Sequence, residues 1–530
     1  MTHENSSPRW RLLAIILGLG LLAEIIVWTQ NSDDVSQQVI FTWIVILVTA
    51  LLVLFWWLFL SRLPWKTRLA GLLVPVLAGV LFLGAFRYEG LAGDFAPRFS
   101  FRFGGSGAEA PSGVSKGTAS VEASADGRLE VAQGDWPGFR GPERDGRALD
   151  EVVRSDWAEN PPQALWRRPI GEGWSSFAAV GDLLFTQEQR GEEEWVVALE
   201  AETGEVVWSH ANAVRHETFL GGIGPRATPE IHDGRLYALG ATGILDCLDP
   251  LTGEVIWSRD IVEDAGTQIL EFGFAGSPLI YDDKVVVNPG KNVAQGEDPS
   301  IYEGTTPGAL IAYDRVTGEI LWRTGQRQAG YTAPRLEEVG GERQILLFSA
   351  YGLAGHDPET GEELWWFEWI NPYGTNSVQP IVAPDGGLFV TTEATGSALL
   401  DVSRSGDSWT ITPRWETSRF KLRYNGAVEK DGFVYGLDGG RLAALDLKSG
   451  ERTWKKGRYR FGQILLLRDH LLVLAESGDV VLTTISPEGM EEVGRFHAID
   501  GRCWNHPVVH EGVLYVRSDQ EAAAYDLRVL

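Results

Sequence analysis

DPLTGEVIW, residues 249–257, is one of five near-identical phrases spaced between residues 200 and 454 of this 530-residue chain. The others are EAETGEVVW (200–208), DRVTGEILW (314–322), DPETGEELW (357–365) and DLKSGERTW (446–454). An apolar stretch such as VVAL or LAAL precedes each phrase, so the unit reads strand, turn, strand. The glycine admits a positive φ, the acidic residue before it can bond back to the backbone, and the following strand ends in tryptophan. Trp208, Trp257, Trp322, Trp365 and Trp454 are therefore expected to dock against neighbouring units.

A second signal counts the units. Turn residues between period-2 apolar strands centre on Gly181, Gly234, Asp283, Gly341, Gly386, Gly432, Asp469 and Gly512, eight in all. Eight units over residues 136–530 give a period of roughly 49, the range of propeller blades. The fold expected is an all-β, eight-bladed β-propeller with four-stranded blades. RSGDSWTITPRW (404–415) and SPEGMEEVGRF (486–496) read as worn copies of the phrase, and the eighth unit lacks its outermost strand. The stretch PPQALWRRPIG around Trp166 resembles that missing strand, so the N-terminal strand is expected to close the last blade. Pro229, Pro278, Pro334, Pro380 and Pro507 fall five to seven residues before the hairpin turns, on the strand expected to line a central channel. An inner edge tolerates proline; a central strand does not.

Three apolar stretches precede the repeat: residues 12–28 with one charge, Glu24, then 39–60 with none, and 69–86 with none but a proline, Pro75. Each approaches the ~20 residues a helix needs to cross the hydrocarbon core. Arg9 and Arg11 precede the first, and Arg62, Lys66 and Arg68 separate the second from the third. Basic residues collect on the cytoplasmic side, so the N-terminus is expected inside and everything after residue 86 outside. A cleaved signal is the other reading of residues 1–30, but Glu24 interrupts the apolar region and no small-x-small site follows. The domains expected are a three-helix transmembrane anchor (1–86), a flexible Gly/Ser/Ala-rich linker (87–134) and the propeller (135–530).

Residues 1–100 hold seven Lys/Arg against six Asp/Glu, so of the formal net charge of −26 the rest of the chain carries about −27. An acidic surface repels phosphate backbones, which argues against a nucleic-acid partner. Cys247 and Cys503 lie far apart in sequence with no second thiol beside either, which excludes a CxxC site. No metal site is expected: His506 and His510 are four apart, about 13 Å on an extended strand. No GxSxG, Walker loop or HExxH motif occurs.

The five phrases resemble the tryptophan-docking repeat of the pyrroloquinoline quinone (PQQ) dehydrogenases and their non-enzymatic relatives, among them the propeller lipoprotein of the outer-membrane β-barrel assembly machinery. DWPGFRGPERDG (135–146), GPRATP (224–229), FGFAGSPLI (272–280) and CWNHPVV (503–509) are similar to PQQ-binding-like propellers of bacteria. Membership implies the fold strongly and the chemistry weakly. Two departures stand out. No cysteine precedes Cys247, whereas the assembly lipoprotein is anchored through a lipidated N-terminal cysteine. No vicinal cysteine pair occurs, whereas methanol- and ethanol-type quinoproteins carry one over the cofactor.

Candidate ligand-binding residues stand just before the aligned prolines: Arg226, Thr228, Ser277, Gln379, Asn425, Gln463, Trp504, Asn505 and His506. Such a funnel of cationic and amide donors suits a small anionic or peptide ligand. Residues 288–306 lengthen the third unit and read as a loop that caps the funnel or meets a partner. The sequence thus points to a non-catalytic scaffold in the bacterial inner membrane, with its propeller periplasmic, no cofactor, and membrane lipid plus an envelope protein or peptide as partners. The alternative is a membrane-bound dehydrogenase using PQQ with Ca²⁺ and passing electrons to quinone.

Overall fold

The structure, a computed structural model, describes residues 9–29, 35–102, 128–291 and 308–529. It divides into two compact units, residues 1–106 and 107–530.

The first unit holds three helices long and apolar enough to cross a membrane: α1 (Trp10–Thr29), α2 (Val35–Phe55, continued by a wider π turn over Trp56–Leu60) and α3 (Trp65–Ala85). Their side chains are largely exposed, as a helix meeting lipid requires. Glu24, the one acidic residue in α1, accepts a hydrogen bond from the Thr42 hydroxyl of α2 at 3.1 Å, so it faces a neighbouring helix. Phe86–Leu91 and Pro97–Phe101 then pair as an antiparallel hairpin. The first part of the expected linker is therefore ordered, because Phe86, Phe99 and Phe101 gather around Phe82 and one another. Residues 103–127 of that linker lie outside the described residues, as do 292–306 of the expected cap.

In the second unit the described residues form eight successive sheets built on four antiparallel strands, in chain order in the first seven, besides the two-stranded hairpin Glu217–Thr218 with Gly222–Ile223. The innermost strands are Ala178–Val180, Glu230–His232, Leu279–Tyr281, Arg335–Val339, Ile381–Val382, Val428–Lys430, Gln463–Leu467 and Val508–His510. In the eighth sheet the fourth strand is Gln163–Pro169, antiparallel to Glu521–Asp526 with Trp166 opposite Ala524. The seventh gains a fifth, parallel strand, Arg147–Ala148. Each aligned proline stands immediately before its innermost strand rather than within it, where its missing N–H leaves the ladder intact.

The repeated phrase accounts for how the sheets hold together. Asp249 Oδ1 accepts from the N–H groups of Leu251 and Thr252 at 2.8 and 3.0 Å, closing the turn, and Asp314 and Asp357 do the same in theirs. Gly318 in such a turn has φ +72°, and a Cβ there would lie 2.7 Å from Trp257 of the preceding sheet. The tryptophan of one sheet thus lies on the glycine of the next. Its indole N–H reaches a carbonyl of that next sheet: Trp208 to Pro250 (2.8 Å), Trp257 to Arg315 (3.2 Å) and Trp454 to Ser486 (2.9 Å). Trp322 lies against Gly361 in the same way. Trp365 departs from the pattern and donates to Gln344 of its own sheet at 2.7 Å, since the fifth sheet has no TGE turn to receive it. Trp415, at the end of a worn phrase, docks on Leu447 instead, and Trp166 docks on Ala201 of the first sheet. The core consists of clusters filling the spaces between successive sheets; one of them spans the seventh, eighth and first. Cys247 and Cys503 are free, buried thiols within two of these clusters.

Candidate functional site

The residues that lead into the eight innermost strands share a register. Two positions before the strand stand Ser176, Thr228, Ser277, Gln379, Gly426 and His506; four positions before it stand Trp174, Arg226, Tyr331, Tyr424 and Trp504. These two levels have different fates.

The inner level is a belt between sheets. The N–H of Ser176 donates to Thr228 Oγ1 (3.1 Å), that of Thr228 to Ser277 Oγ (2.9 Å) and that of Gly426 to Gln463 Oε1 (2.8 Å). Gln463 also donates to the carbonyls of Tyr424 and Trp504, Asn425 to Gly462 and Asn505 to Ser175. Each such bond satisfies a backbone group that water cannot reach. Gln379 interrupts the belt, with both amide atoms buried and without a partner among the described residues. The His506 carbonyl accepts from Ser176, while its ring sits edge-on to Phe139, 5.4 Å away. Burial, and then the charge of Arg140, hold that imidazole neutral, with a pKa well below the usual range. Six of the nine residues expected to bind a ligand (Thr228, Ser277, Asn425, Gln463, Asn505 and His506) therefore bind the protein itself.

The outer level gathers aromatic rings and guanidinium groups. The rings of Trp174 and Trp504 are 4.6 Å apart, and Tyr424 lies 5.0 Å from Trp504. Arg502 covers both indoles at 4.5 and 4.4 Å, close enough for cation–π attraction. Trp504 Nε1 donates to Glu476 Oε1 at 2.9 Å. Arg226 is pushed down to about 10 by burial and donates to the carbonyls of Gly221, Gly222 and Gly224, with no ion pair among the described residues. Glu194, raised to about 7 by burial, accepts from Ala241 N–H at 3.1 Å and leaves Oε2 without a partner. Burial, then Arg226, pushes His216 down to about 4. Trp174, Tyr424, Arg502 and Glu194 escaped the sequence reading. Three of the rings share Arg226's spacing from the strand, which was the available signal.

At the opposite, hairpin-turn end of the innermost strands lies the segment 134–151, which contains DWPGFRGPERDG. Trp136 pairs with Ala179, and the Pro137 carbonyl accepts from Ile231 N–H. Arg144 donates to Glu230 (2.9 Å), Pro278 (2.9 Å) and Ser277 (3.0 Å), and Arg140 donates to the Ala427 carbonyl. Arg335 reaches the Glu143 carbonyl at 3.2 Å, the Gly134 carbonyl meets His510, and Arg147 pairs with Leu466. This one segment bonds to seven of the eight sheets. A cavity of about 1060 Å³ remains beside it, lined by Arg144, Arg147, Arg335, Glu230 and Glu337 among others, and none of the nine expected ligand residues borders it. Among the described residues no group of three or more His, Cys, Asp or Glu is placed to hold a metal ion. The described lining of the cavity therefore presents no carboxylate cluster placed for a Ca²⁺ beside a bound PQQ.

Eight four-stranded sheets joined by tryptophan docking define a repeat protein of the propeller class. The family model described as "Outer membrane protein assembly factor BamB" matches residues 192–456, half of the chain, and the chain belongs to this family. It is 33% identical over 158 residues to the quinohemoprotein alcohol dehydrogenase of Comamonas testosteroni, covering 27% of this chain and 20% of that one. It is 21% identical over 249 residues to BamB of Shewanella oneidensis, covering 45% and 58%. The crystal structure of the Comamonas testosteroni enzyme superposes with a TM-score of 0.55 at 13% identity, covering 74% of this chain and 80% of that one, which is a likeness of fold. The chain spans well under two thirds of the curated relatives it matches.

Proposed function

We propose that this protein is a membrane-anchored binding or assembly scaffold of the bacterial cell envelope. In this reading α1–α3 span the inner membrane with the N-terminus cytoplasmic, and the eight sheets are blades of one ring closed by Gln163–Pro169. The ring is supported by segment 134–151, since one short stretch can bond to seven sheets where their inner strands surround it. The orientation rests on the basic residues flanking the spans.

The observation that carries the non-catalytic reading is the belt. The polar groups aligned along the inner strands are occupied by neighbouring backbone, and at the hairpin-turn end the chain's own arginines bond to carbonyls of the sheets beside the cavity. The aromatic and arginine-rich end offers a surface for a partner or ligand. The alternative, a PQQ-dependent dehydrogenase passing electrons to quinone, draws on the similarity to the alcohol dehydrogenases. Titrating the full chain in lipid nanodiscs with PQQ, with and without Ca²⁺, followed by dye-linked alcohol and aldose oxidation, separates the two. The scaffold reading expects no saturable Ca²⁺-dependent binding and no turnover; turnover overturns it.

A further inference from the structure

Glu217–Thr218 and Gly222–Ile223 form a two-stranded hairpin over the aromatic and arginine-rich end, with Phe219 at its tip 73% exposed. Underneath, the carbonyl oxygen of Gly221 sits between two donors, Trp174 Nε1 at 2.6 Å and Arg226 Nη2 at 3.0 Å. The backbone of the glycine pair lies flat on this floor. A Cβ on Gly221 would come within 2.8 Å of Arg226 Nη2 and of the Phe272 ring; one on Gly222 would come within 3.0 Å of Arg502 Nη2 and 3.1 Å of Trp174.

We propose that Trp174 and Arg226 form a cradle for the C-terminal carboxylate of an extended peptide, which displaces the 217–223 hairpin and takes the place of the Gly221 carbonyl. The inference rests on reading this end as the ligand-facing one and names the ligand class. Three features carry it. The occupant of the cradle is already a peptide carbonyl, so the space fits a backbone. Arg226 is half-buried and its hydrogen-bond partners are neutral carbonyls, Glu194 acting on it only at longer range, and a charged acceptor at that position forms a bond roughly twice as strong as a neutral one. The occupant is also easily removed, because a two-stranded hairpin this short is marginal by itself. The tight approach at Gly221 and Gly222 sets the specificity: the last two residues of the ligand must be glycine or similarly small.

The test is ligand-observed ¹⁹F NMR on the full chain in nanodiscs, with N-trifluoroacetyl-Gly-Gly-Gly as free acid, as C-terminal amide, and with a terminal valine. Saturable broadening by the free acid is expected, with the amide and the valine peptide at least about tenfold weaker. Arg226→Gln should abolish the preference for acid over amide. Gly221→Val, which leaves the cradle in place and crowds the hairpin off it, should tighten binding of the acid several-fold, and serves if Arg226→Gln fails to fold. Equal broadening by acid and amide, or no broadening by the acid with Gly221→Val, overturns the proposal. Neither result bears on PQQ turnover, and PQQ turnover with peptide binding intact would remove the scaffold reading while leaving the cradle standing.

Discussion

Both ends of the inner strands carry arginines, yet at one end they are tied by long-range bonds and at the other by local ones. At the hairpin-turn end Arg144 is bonded to a carboxylate and to two carbonyls from a different sheet, and Arg335 pairs with Glu337 while reaching the carbonyls of Pro380 and Glu143. At the other end Arg226 holds three carbonyls, all from the neighbouring 221–224 stretch of its own chain segment. Long-range partners weld a segment into the fold. Local partners leave it free to move as a piece.

The sharpest way to break this comparison is Arg144→Met. It strands the Glu230 carboxylate, which burial already pushes up to about 7, without its guanidinium partner. Breaking a buried pair costs about 3–5 kcal/mol, so the urea midpoint should fall steeply; a loss below about 1 kcal/mol would show that the segment is not welded in.

A smaller effect is expected from Glu194. Its folded-state pKa lies above the ordinary carboxylate value, so its contribution is fully present below pH 4.5 and is lost as pH rises through about 7. A tenfold change in a protonation equilibrium corresponds to ~1.4 kcal/mol, which makes the loss at most about 3 kcal/mol. Glu194→Gln should therefore flatten the fall in stability between pH 4.5 and 7, measured by urea unfolding across that range. An unchanged slope would place the effect elsewhere.

Arg226→Met removes hydrogen bonds to neutral carbonyls and breaks no ion pair in contact, only the longer-range attraction to Glu194, so about 1 kcal/mol is expected. The ratio to Arg144→Met is the real test, because equal losses would erase the distinction between the two ends. The mildest probe leaves stability alone: chymotrypsin should cut at Phe219 long before trypsin cuts at Arg140 or Arg144, as exposure and local pairing dictate. Early cleavage at Arg144, read by mass spectrometry, would reverse the assignment of mobile and fixed ends.

The aligned residues teach a related lesson about what a sequence shows. Thr228, Ser277 and Gln463 were legible as polar positions facing the axis, because the prolines after two of them mark the register. Their hydrogen-bond partners were not legible. A side chain two residues before one strand bonds a backbone N–H roughly fifty residues earlier, and no local pattern encodes that distance. Arg226 and Trp504 were named from the same stretches, yet Trp174, which joins Arg226 at the Gly221 carbonyl, lay before the first recognisable unit and carried no phrase of its own. Trp365 shows the converse. Its phrase is perfect, but docking requires a receiving glycine turn in the next sheet, and the long hairpin Gly396–Thr417 has none.

Sequence by itself determined the repeating strand–turn–strand unit, the eight hairpins, the three apolar spans and the strand around Trp166, because each depends on residues within a few positions of one another. Turn chemistry and apolar period are local, and local rules are written in order along the chain. Only the tertiary structure decided which end is held by long-range bonds and which guanidinium is hydrogen-bonded to carbonyls alone. Those outcomes depend on residues such as Arg144 and Glu230, or Trp174 and Gly221, meeting across sheets where desolvation sets the energy of every polar contact.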